Sequence, residues 1–481
     1  MPLTVTLAGH NLDREALAAR LAGQAEGEAG ALSPETLSAA YARISRDPRH
    51  VSEIRADARR EVEKARRSNR TIIFDMGHAS VAEHAVFNLD VSGISRLCVE
   101  ALERHRLASY TEKSQRYIRL EEACVVPEEI RASTLADDFG RLARELFDAY
   151  QSLAGRLLEQ ARRECGEAVP EREVKSRANE DARYLLPLCA EAQLGMTVNA
   201  RTLEGMIARL ASSERDEERR LARALHEAVQ AIAPSVIRYT EPTPYLRELP
   251  PALRERAGRW LPRTSPDTTG PVRLVSHTPE PDRAVAEALL FESGVSSAEE
   301  VRRSAGALSV EELRGLYGEV FCRMQPWDPL PRAFERVTFT FELVLSAAAF
   351  GQLKRHRMAT LLAQPYQPEL GWTVPASIRR AGAEHEFSSW VEKATALSRR
   401  IAALHPPAAP YILTNAHRRR VWMCINGRAL GHFFRLRCAP EAQWDIRELA
   451  TAMLAEVRRA FPLGGAFYGG KDCVAALRQG G

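Results

Sequence analysis

An internal repeat constrains this chain more than any other feature of its sequence. The segment LERHRLAS (Leu102–Ser109) recurs as LKRHRMAT (Leu353–Thr360), and VNARTL (Val198–Leu203) recurs as INGRAL (Ile425–Leu430). The motifs keep their order in both halves, which unrelated chance matches rarely do, and a repeat of this size indicates a duplicated structural unit. The sequence therefore predicts two copies of one fold within 481 residues, a length that suits a chain of several domains.

A proline-rich stretch lies between the two copies, from Thr240 to Pro271. Clustered prolines mark loops and connecting segments, so we interpret this stretch as a linker. VRLVSH (Val272–His277) then has the pattern of an opening strand. The predicted organisation is domain 1 over residues 1–240, a linker over 241–271, and domain 2 over 272–481.

Hydrophobic periodicity predicts both strands and helices in each copy. Apolar and polar residues alternate from Phe87 to Val91 and from Val337 to Leu345, the pattern of a strand with one buried face. Apolar residues recur at helical spacing from Leu135 to Leu157. We expect the last long helix to begin near Pro440, because proline suits the first helical turn. The predicted fold class is α+β, with two tandem domains that each contain a small sheet flanked by long helices.

Composition narrows the class of protein. The chain is 45% hydrophobic and 27% charged, as expected for a protein with real cores. Its net charge of +4 arises from 67 basic and 63 acidic residues and gives no argument for binding nucleic acid. The eight cysteines have neither zinc nor disulfide spacing, so no metal site is predicted and a reducing cytoplasm is expected. We find no signal-peptide pattern and no apolar run of membrane length, and we expect no membrane partner.

The strongest local signal is RHRLASYTEKSQRY, which covers Arg104–Tyr117. Two arginines flank a histidine, and Ser114 and Arg116 follow later in the same segment. The planar guanidinium suits phosphate better than an ammonium group does, so this segment has the chemistry to hold an anion at each end. Taken alone, such a run is more often a solvated basic loop with ordinary ion pairs. We interpret the run Arg418–Arg420 in this way, as a solvated or interface face.

The neighbouring motifs give the RHR segments a more specific meaning. HASVAEH (His78–His84) lies upstream, DARYLLP (Asp181–Pro187) and NARTL lie downstream, and the second half contains NGRALGHFFRLRCAPEAQWDIRELA (Asn426–Ala450). In this order they resemble the flavin-dependent thymidylate synthase (ThyX) family, whose pattern runs HxSxxEH, RHRxxSxNExSxRY, ARxxLP, NARSLxxFLxxR and AQWEIR. Thr111 stands where the family usually has asparagine. The resemblance covers most of both halves.

The resemblance implies a reaction and its co-substrates. Members of the family methylate deoxyuridine monophosphate (dUMP) to thymidylate (dTMP), with FAD as cofactor, NADPH as reductant and methylenetetrahydrofolate as carbon donor. These molecules fit the residue types, because arginines can clamp the phosphates of the flavin and of the nucleotide. A fixed guanidinium at the uracil carbonyl edge also stabilises charge where it develops, while the cofactor carries the redox chemistry.

The resemblance also assigns candidate residues. The flavin-binding positions are His78, Ser80, Glu83, Arg104, His105, Arg106 and Asn199 in the first half, and Arg355, His356, Arg357, Asn426 and His432 in the second. The nucleotide-binding positions are Glu112, Ser114, Arg116, Arg183, Gln352 and Arg437. Ser114 and Arg437 are also the candidate catalytic residues.

Neither half carries the whole pattern. In the first half, Ala101 replaces the glutamine before RHR and Leu210 replaces the arginine after NARTL. Arg209 is one step away from that position, about 100° around a helix, and RDEERR (Arg215–Arg220) stands where AQWEIR is expected. The departures of the second half are Pro365 and Gln367 for the serine and arginine, APYILT (Ala409–Thr414) for ARxxLP, and PRAFER (Pro331–Arg336) without the first histidine.

The losses in the two halves are largely complementary. The family builds its active sites at the subunit interfaces of a homotetramer, so the resemblance implies composite sites to which each half contributes what the other has lost. It also implies that two chains pair into a homodimer with a pseudo-tetrameric core. Two alternatives remain open: a flavoenzyme that modifies another pyrimidine nucleotide, and a non-catalytic nucleotide- or flavin-binding scaffold.

Overall fold

The computed structural model describes residues 2–23, 32–165, 169–261, 270–325 and 327–471. The chain divides into two compact units, and each unit draws on both halves of the sequence. Unit 1 comprises Met1–Asn179, Leu186–Arg263 and Glu392–Leu413. Unit 2 comprises Glu180–Leu185, Thr264–Val391 and Thr414–Gly481. A segment of each half therefore completes the unit that the other half mainly builds.

Strands and helices of the first half follow the predicted mixed pattern. Its strands are β1 (Thr4–His10), β2 (Val86–Ser95), β3 (Ala108–Glu112) and β4 (Glu191–Asn199). Its helices are α1 (Arg14–Leu21), α2 (Pro34–Arg43), α3 (Val51–Arg60), α4 (Val62–Arg70), α5 (Arg96–Leu102), α6 (Glu128–Arg131), α7 (Ala136–Cys165), α8 (Glu171–Ala182), α9 (Ala200–Ala211), α10 (Asp216–Gln230) and α11 (Pro244–Trp260).

The second half repeats much of this order. Its strands are β5 (Val272–His277), β6 (Thr338–Ser346), β7 (Thr360–Tyr366) and β8 (Arg418–Asn426). Its helices are α12 (Pro281–Ser293), α13 (Ala298–Ala307), α14 (Val310–Phe321), α15 (Ala347–Leu353), α16 (Ala376–Arg380), α17 (Glu384–Leu404), α18 (Gly427–Arg437) and α19 (Trp444–Ala460). The first half has α7 and α8 where the second has α17 alone, which accounts for the longer spacing between its two motifs.

The described residues form two four-stranded antiparallel sheets with the same topology. The strand order is β1-β2-β4-β3 in one sheet and β5-β6-β8-β7 in the other. The register is also shared, because Ser95 pairs with Glu191 in the first sheet and Ser346 pairs with Arg418 in the second. This equivalence lets each side chain of one unit be compared with its counterpart in the other.

Alternating side chains of the central strands form the two cores. Phe87, Leu89 and Val91 of β2 are buried in the core of unit 1 with residues of α9 and α10. Phe339 and Phe341 of β6 are buried in the core of unit 2 with residues of α18 and α19. The predicted strands and the predicted helix near Leu135–Leu157 are thus confirmed, as is the α+β fold class with two related domains.

The start of the last long helix and the proline-rich stretch differ in detail from what the sequence predicts. The last long helix begins at Trp444 rather than near Pro440, because the side chain of Gln443 caps it by accepting a hydrogen bond from the Ile446 amide at 3.2 Å. The proline-rich stretch contains the helix α11, in which Pro244 takes the favourable first position. Residues 262–269 of that stretch lie outside the described residues.

No helix among the described residues combines the length and the apolar character that crossing a membrane requires.

Candidate functional site

The RHR segment of unit 1 follows α5, and its histidine is held by the end of that helix. The Nδ1 atom of His105 lies 3.1 Å from the carbonyl oxygen of Leu102. The hydroxyl of Tyr110 donates to the carbonyl oxygens of both Leu102 and His105, at 3.2 and 3.0 Å. These bonds fix the turn that carries the histidine, so its ring position is set by β3 and α5 together.

One atom of this histidine has no partner. Among the residues that the structure describes, none forms a hydrogen bond with Nε2 of His105, although the atom is buried. Burial, together with the positive charges of Arg209 and Arg104, lowers the pKa of His105 to about 4. The ring is therefore neutral near pH 7, with Nδ1 placed to donate to Leu102 and Nε2 left as an acceptor. Arg104 and Arg106 on either side are exposed.

The RHR segment of unit 2 has the same local shape but a different set of bonds. Arg437, at the end of α18, donates through Nε to Nε2 of His356 at 2.9 Å. Its terminal nitrogens donate to the side-chain and main-chain oxygens of Gln352, at 3.0 and 3.1 Å. Burial, together with the charges of Arg437 and His432, lowers the pKa of His356 to about 3. The structure thus brings three predicted site residues, Gln352, His356 and Arg437, into one hydrogen-bonded cluster.

The nucleotide loop predicted in the first half is a structured turn. Glu112, at the end of β3, accepts from Arg96 through both carboxylate oxygens, at 3.0 and 3.1 Å. The backbone amide of Arg116 donates to the hydroxyl oxygen of Ser114 at 3.2 Å. The guanidinium of Arg116 lies 5.5 Å from the ring centre of Tyr117. The carboxylate is therefore oriented by a buried arginine that the sequence motif did not include.

The loop upstream of β2 is a short 3-10 helix, Ala79–His84, which His78 precedes and which contains Ser80. Its Glu83 accepts from Arg201 of α9 at 2.6 Å. Unit 2 keeps this ion pair, because Glu335 of the PRAFER segment accepts from Arg428 of α18 at 2.9 Å. Glu335 was missed in the sequence because the rest of its motif has been lost. The arginine of NGR, two residues after Asn426, was the signal that could have found it.

Asn199 and Asn426, both predicted as flavin neighbours, cap helices. The side chain of Asn199 accepts from the Thr202 amide at 2.8 Å, and that of Asn426 accepts from the Ala429 amide at 2.8 Å. Each asparagine begins the helix that follows its strand, so each has a structural role whatever else it contacts.

Arg183 belongs to unit 2 although it lies in the first half. It is buried, its Nε donates to the carbonyl oxygen of Glu180 at 3.1 Å, and its own carbonyl oxygen accepts from Asn415 at 3.0 Å. Unit 2 therefore contains one predicted nucleotide-binding residue of the first half, Arg183, and two of the second, Gln352 and Arg437.

A pair of buried carboxylates was not found from the sequence. In unit 1, Glu217 accepts from the amide and the hydroxyl of Ser95, at 2.6 and 2.7 Å, and from the Tyr411 hydroxyl at 2.7 Å. Burial raises the pKa of this carboxyl. Tyr411 lies in the second half of the chain but belongs to unit 1. The aligned tyrosines of DARYLLP and APYILT were the available signal.

Unit 2 has the corresponding arrangement with aspartate. Asp445 accepts from the Tyr184 hydroxyl at 2.8 Å and from the Ser346 hydroxyl at 2.5 Å. Burial raises the pKa of Asp445. Trp444 stacks on the Tyr184 ring with 5.6 Å between ring centres. Glu217 therefore corresponds to the aspartate of AQWDIR, so the RDEERR element keeps the acid and loses the neighbouring tryptophan.

The arginine run on β8 is not a fully solvated face. Arg419 lies over the rings of Tyr366 and Phe350, 4.3 and 4.6 Å from their centres. Arg420 pairs with Glu342, and Nε of Arg418 donates to the Thr373 hydroxyl at 3.0 Å. All three arginines are partly buried within unit 2, because the strand that carries them is the third of four in its sheet.

One atom of unit 1, Nε2 of His105, fits the flavin that the motifs imply. A buried acceptor that no described residue bonds, placed between two exposed arginines, is suited to a ligand that offers an N–H donor and phosphates. In unit 2 the equivalent acceptor is already taken by Arg437. The described residues contain no group of three or more histidine, cysteine, aspartate and glutamate side chains that could hold a metal ion.

Comparison with known proteins places these motifs in a family. The family model described as thymidylate synthase complementing protein matches the chain twice, over residues 30–235 and over residues 273–463. A UPF0159 protein of Thermoplasma acidophilum is 26% identical over 474 residues, which cover 89% of this chain and 92% of that protein.

Two further relatives match different shares of the chain. A flavin-dependent thymidylate synthase of Clostridium tetani is 30% identical over 216 residues, or 44% of this chain and 84% of that protein. A UPF0159 protein of Chlamydia muridarum is 25% identical over 436 residues and covers 86% of this chain and 82% of that protein. The double match and the two sheets of equal topology lead to one conclusion: the chain belongs to the flavin-dependent thymidylate synthase family and contains its fold twice.

Proposed function

We propose that this chain is a flavin-dependent thymidylate synthase-like enzyme that methylates dUMP to dTMP with methylenetetrahydrofolate and NADPH. The observation that carries the proposal is the buried Nε2 atom of His105, an acceptor between Arg104 and Arg106 that has no hydrogen-bond partner among the described residues. An acceptor of this kind is costly to leave unpaired and is well matched to a bound flavin. FAD would supply the redox chemistry of the reaction when bound there.

In this proposal the protein holds the flavin through unit 1. The neutral His105 accepts a hydrogen bond from the ligand, and the two exposed arginines bind its phosphates. His78, Ser80 and Glu83 are proposed to contribute to flavin binding as well, and Glu83 forms an ion pair with Arg201. Asn199 acts mainly by starting α9 at the right point.

The nucleotide is recognised by residues of both halves. Arg183, Gln352 and Arg437 all belong to unit 2. His356 and Gln352 orient the guanidinium of Arg437 through three hydrogen bonds, so the positive charge is fixed before the pyrimidine arrives. A preorganised charge of this kind stabilises the negative charge that develops on the uracil carbonyl edge at no reorganisation cost.

A second copy of the chain completes the proposed site. The loop with Glu112, Ser114 and Arg116 supplies an oriented carboxylate, a hydroxyl and a guanidinium for the nucleotide. Since unit 2 has Pro365 and Gln367 in place of the serine and arginine, we propose that the loop comes from the partner in a homodimer. A cytoplasmic location is proposed with it, from the cysteine pattern alone.

The test uses the full chain. We expect a purified preparation with a flavin spectrum and formation of dTMP from dUMP, methylenetetrahydrofolate and NADPH. Arg437→Ala and Arg116→Ala should each reduce kcat by at least about 100-fold, the usual effect of removing a preorganised charge. Arg435→Ala is the matched control on the same helix, since Arg435 donates to the carbonyl oxygen of Asp328, and it should keep its activity.

Other outcomes decide between the alternatives. A yellow protein that turns over another pyrimidine nucleotide and not dUMP would replace the proposed substrate. A colourless protein that cannot be loaded with FAD would overturn the enzyme and leave a scaffold role. Full activity in Arg437→Ala would show that the second half does not share the site.

A further inference from the structure

A cavity of about 420 Å³ lies in unit 2 where β6 ends and α19 begins. Its lining includes Arg418, Asp445, Trp444, Glu448 and Leu345. None of these residues is among the predicted flavin or nucleotide positions. The volume falls in the range of small-molecule sites, about 300–1,000 Å³, and the lining mixes apolar surface with both signs of charge.

Asp445 offers this cavity an unused acceptor. The hydrogen bonds that Asp445 accepts from Tyr184 and from Ser346 both reach the same oxygen, Oδ2. Across the ranges that the structure describes, no donor bonds to Oδ1. The equivalent Glu217 of unit 1 uses both carboxylate oxygens, because its longer side chain reaches the amide as well as the hydroxyl of Ser95. The shorter aspartate therefore leaves one oxygen for a ligand.

Arg418 offers the cavity unused donors. Its Nε donates to Thr373, and within the described part of the chain its two terminal amino groups form no hydrogen bond or ion pair. Burial lowers the pKa of Arg418 and raises that of Asp445, the directions expected where neither charge is fully compensated. At the corresponding position of unit 1 stands Glu191, opposite Ser95 in the sheet. The arginine at this position of the sheet is therefore particular to unit 2.

The remaining groups define the charge of the ligand. Glu369 and Glu448 also line the cavity, so its lining holds three carboxylates and one guanidinium, while the charge of Arg183 also acts on Asp445. The orientation of the Trp444 side chain is fixed, because its Nε1 donates to the Asp181 carboxylate at 2.7 Å. A ligand that satisfies this lining carries one anionic group for Arg418, cationic N–H donors for Asp445 and Glu448, and an aliphatic body for the tryptophan and leucine.

We propose that this cavity is a binding site for a basic amino acid, with the ligand carboxylate on Arg418 and its cationic nitrogens on Asp445 and Glu448. This proposal does not depend on the proposed thymidylate synthase activity, and the two are tested by separate measurements.

Isothermal titration calorimetry on the full chain, with L-arginine and L-lysine as probes, tests the site. We expect binding at micromolar to millimolar concentration by at least one probe. Asp445→Asn and Arg418→Gln should each weaken it at least tenfold, and agmatine, which lacks the carboxylate, should bind more weakly than L-arginine. Glu217→Gln is the matched control, because it changes the equivalent acid of unit 1, and it should leave affinity unchanged.

Three results would overturn the proposal. They are no binding by either probe at millimolar concentration, unchanged affinity in both cavity variants, and agmatine binding as tightly as L-arginine. Asp445→Asn keeps an oxygen for Tyr184 and Ser346, and its thermal midpoint checks its folding. If that variant unfolds, Arg418→Gln and the agmatine comparison decide the question, since Arg418 forms one side-chain hydrogen bond within the described residues.

Discussion

The two RHR segments of this chain have the same three residues and follow equivalent helices, yet their histidines differ in what they bond. His356 accepts from Arg437, whereas no donor in the described ranges of the chain reaches the buried Nε2 atom of His105. The cause lies outside the motif. Gln352 and Arg437 are present in the second half, and Ala101 and Leu210 stand at those positions in the first.

Arg209 does not repair the loss in unit 1. It lies near enough to lower the pKa of His105, but it does not bond to Nε2. One step along a helix turns a side chain by about 100°, and this is enough to separate a charge effect from a hydrogen bond. A short motif therefore identifies a position, and residues from distant elements decide what that position is free to bind.

The largest expected difference between the units concerns their buried acids. Glu217→Ala leaves three donors without an acceptor and Asp445→Ala leaves two, so we expect losses of about 3 and about 2 kcal/mol in the free energy of unfolding. Thermal and urea unfolding measure both. Glu214→Ala, a change at an exposed ion pair, should stay within about 0.5 kcal/mol. A larger loss for Asp445→Ala than for Glu217→Ala would contradict this ranking.

The histidines provide the next comparison. His105→Ala should weaken FAD binding about tenfold, equivalent to one charge-assisted or buried hydrogen bond of about 1.4 kcal/mol. His356→Ala should weaken it less, because Nε2 of His356 is already bonded to Arg437. Fluorescence titration of the apoprotein with FAD measures both affinities and the stoichiometry. Equal losses, with two flavins bound per chain, would show that both RHR segments hold flavin, as the motif alone predicts.

The smallest expected effect concerns Asn199 and Asn426, and it distinguishes a helix-capping role from a contact with the ligand. Asn199→Ala and Asn426→Ala should each cost about 1 kcal/mol of stability through the lost helix cap, while aspartate at either position keeps most of it. If Asn199 also touches flavin, Asn199→Ala will lower FAD affinity and Asn426→Ala will not. Equal stability losses with unchanged FAD affinity in both variants would limit the two residues to capping.

Local sequence patterns predicted much of the fold. The repeat predicted two equivalent domains, and the alternation from Val337 to Leu345 predicted β6, because both signals are contained in short stretches of sequence. The predicted start of α19, near Pro440, was wrong, because the helix is capped by a glutamine, which is less common than a proline in the first turn. Glu335 was missed because its ion pair depends on Arg428, distant in the chain.

The exchange of segments between the halves had no local signal. Nothing in the spacing of DARYLLP or APYILT distinguishes a segment that stays with its own half from one that completes the other. The identity of the partners of Tyr184 and Tyr411 therefore depended on tertiary structure. The same holds for Arg418, whose run of three arginines looked like a solvated face and instead lies partly buried.

The segment Glu392–Leu413 sets the order in which the chain can mature on the ribosome. The backbone amides of Leu188 and Cys189 donate to the carbonyl oxygens of Leu413 and Tyr411, each at 2.7 Å. Chains grow at about 5–20 residues per second, so these donors wait on the order of ten seconds or more for acceptors that have not yet been made. Unit 1 is the first to be synthesised and yet needs nearly the whole polypeptide before it is complete. A gene split between the two copies would thus leave both proteins unfinished.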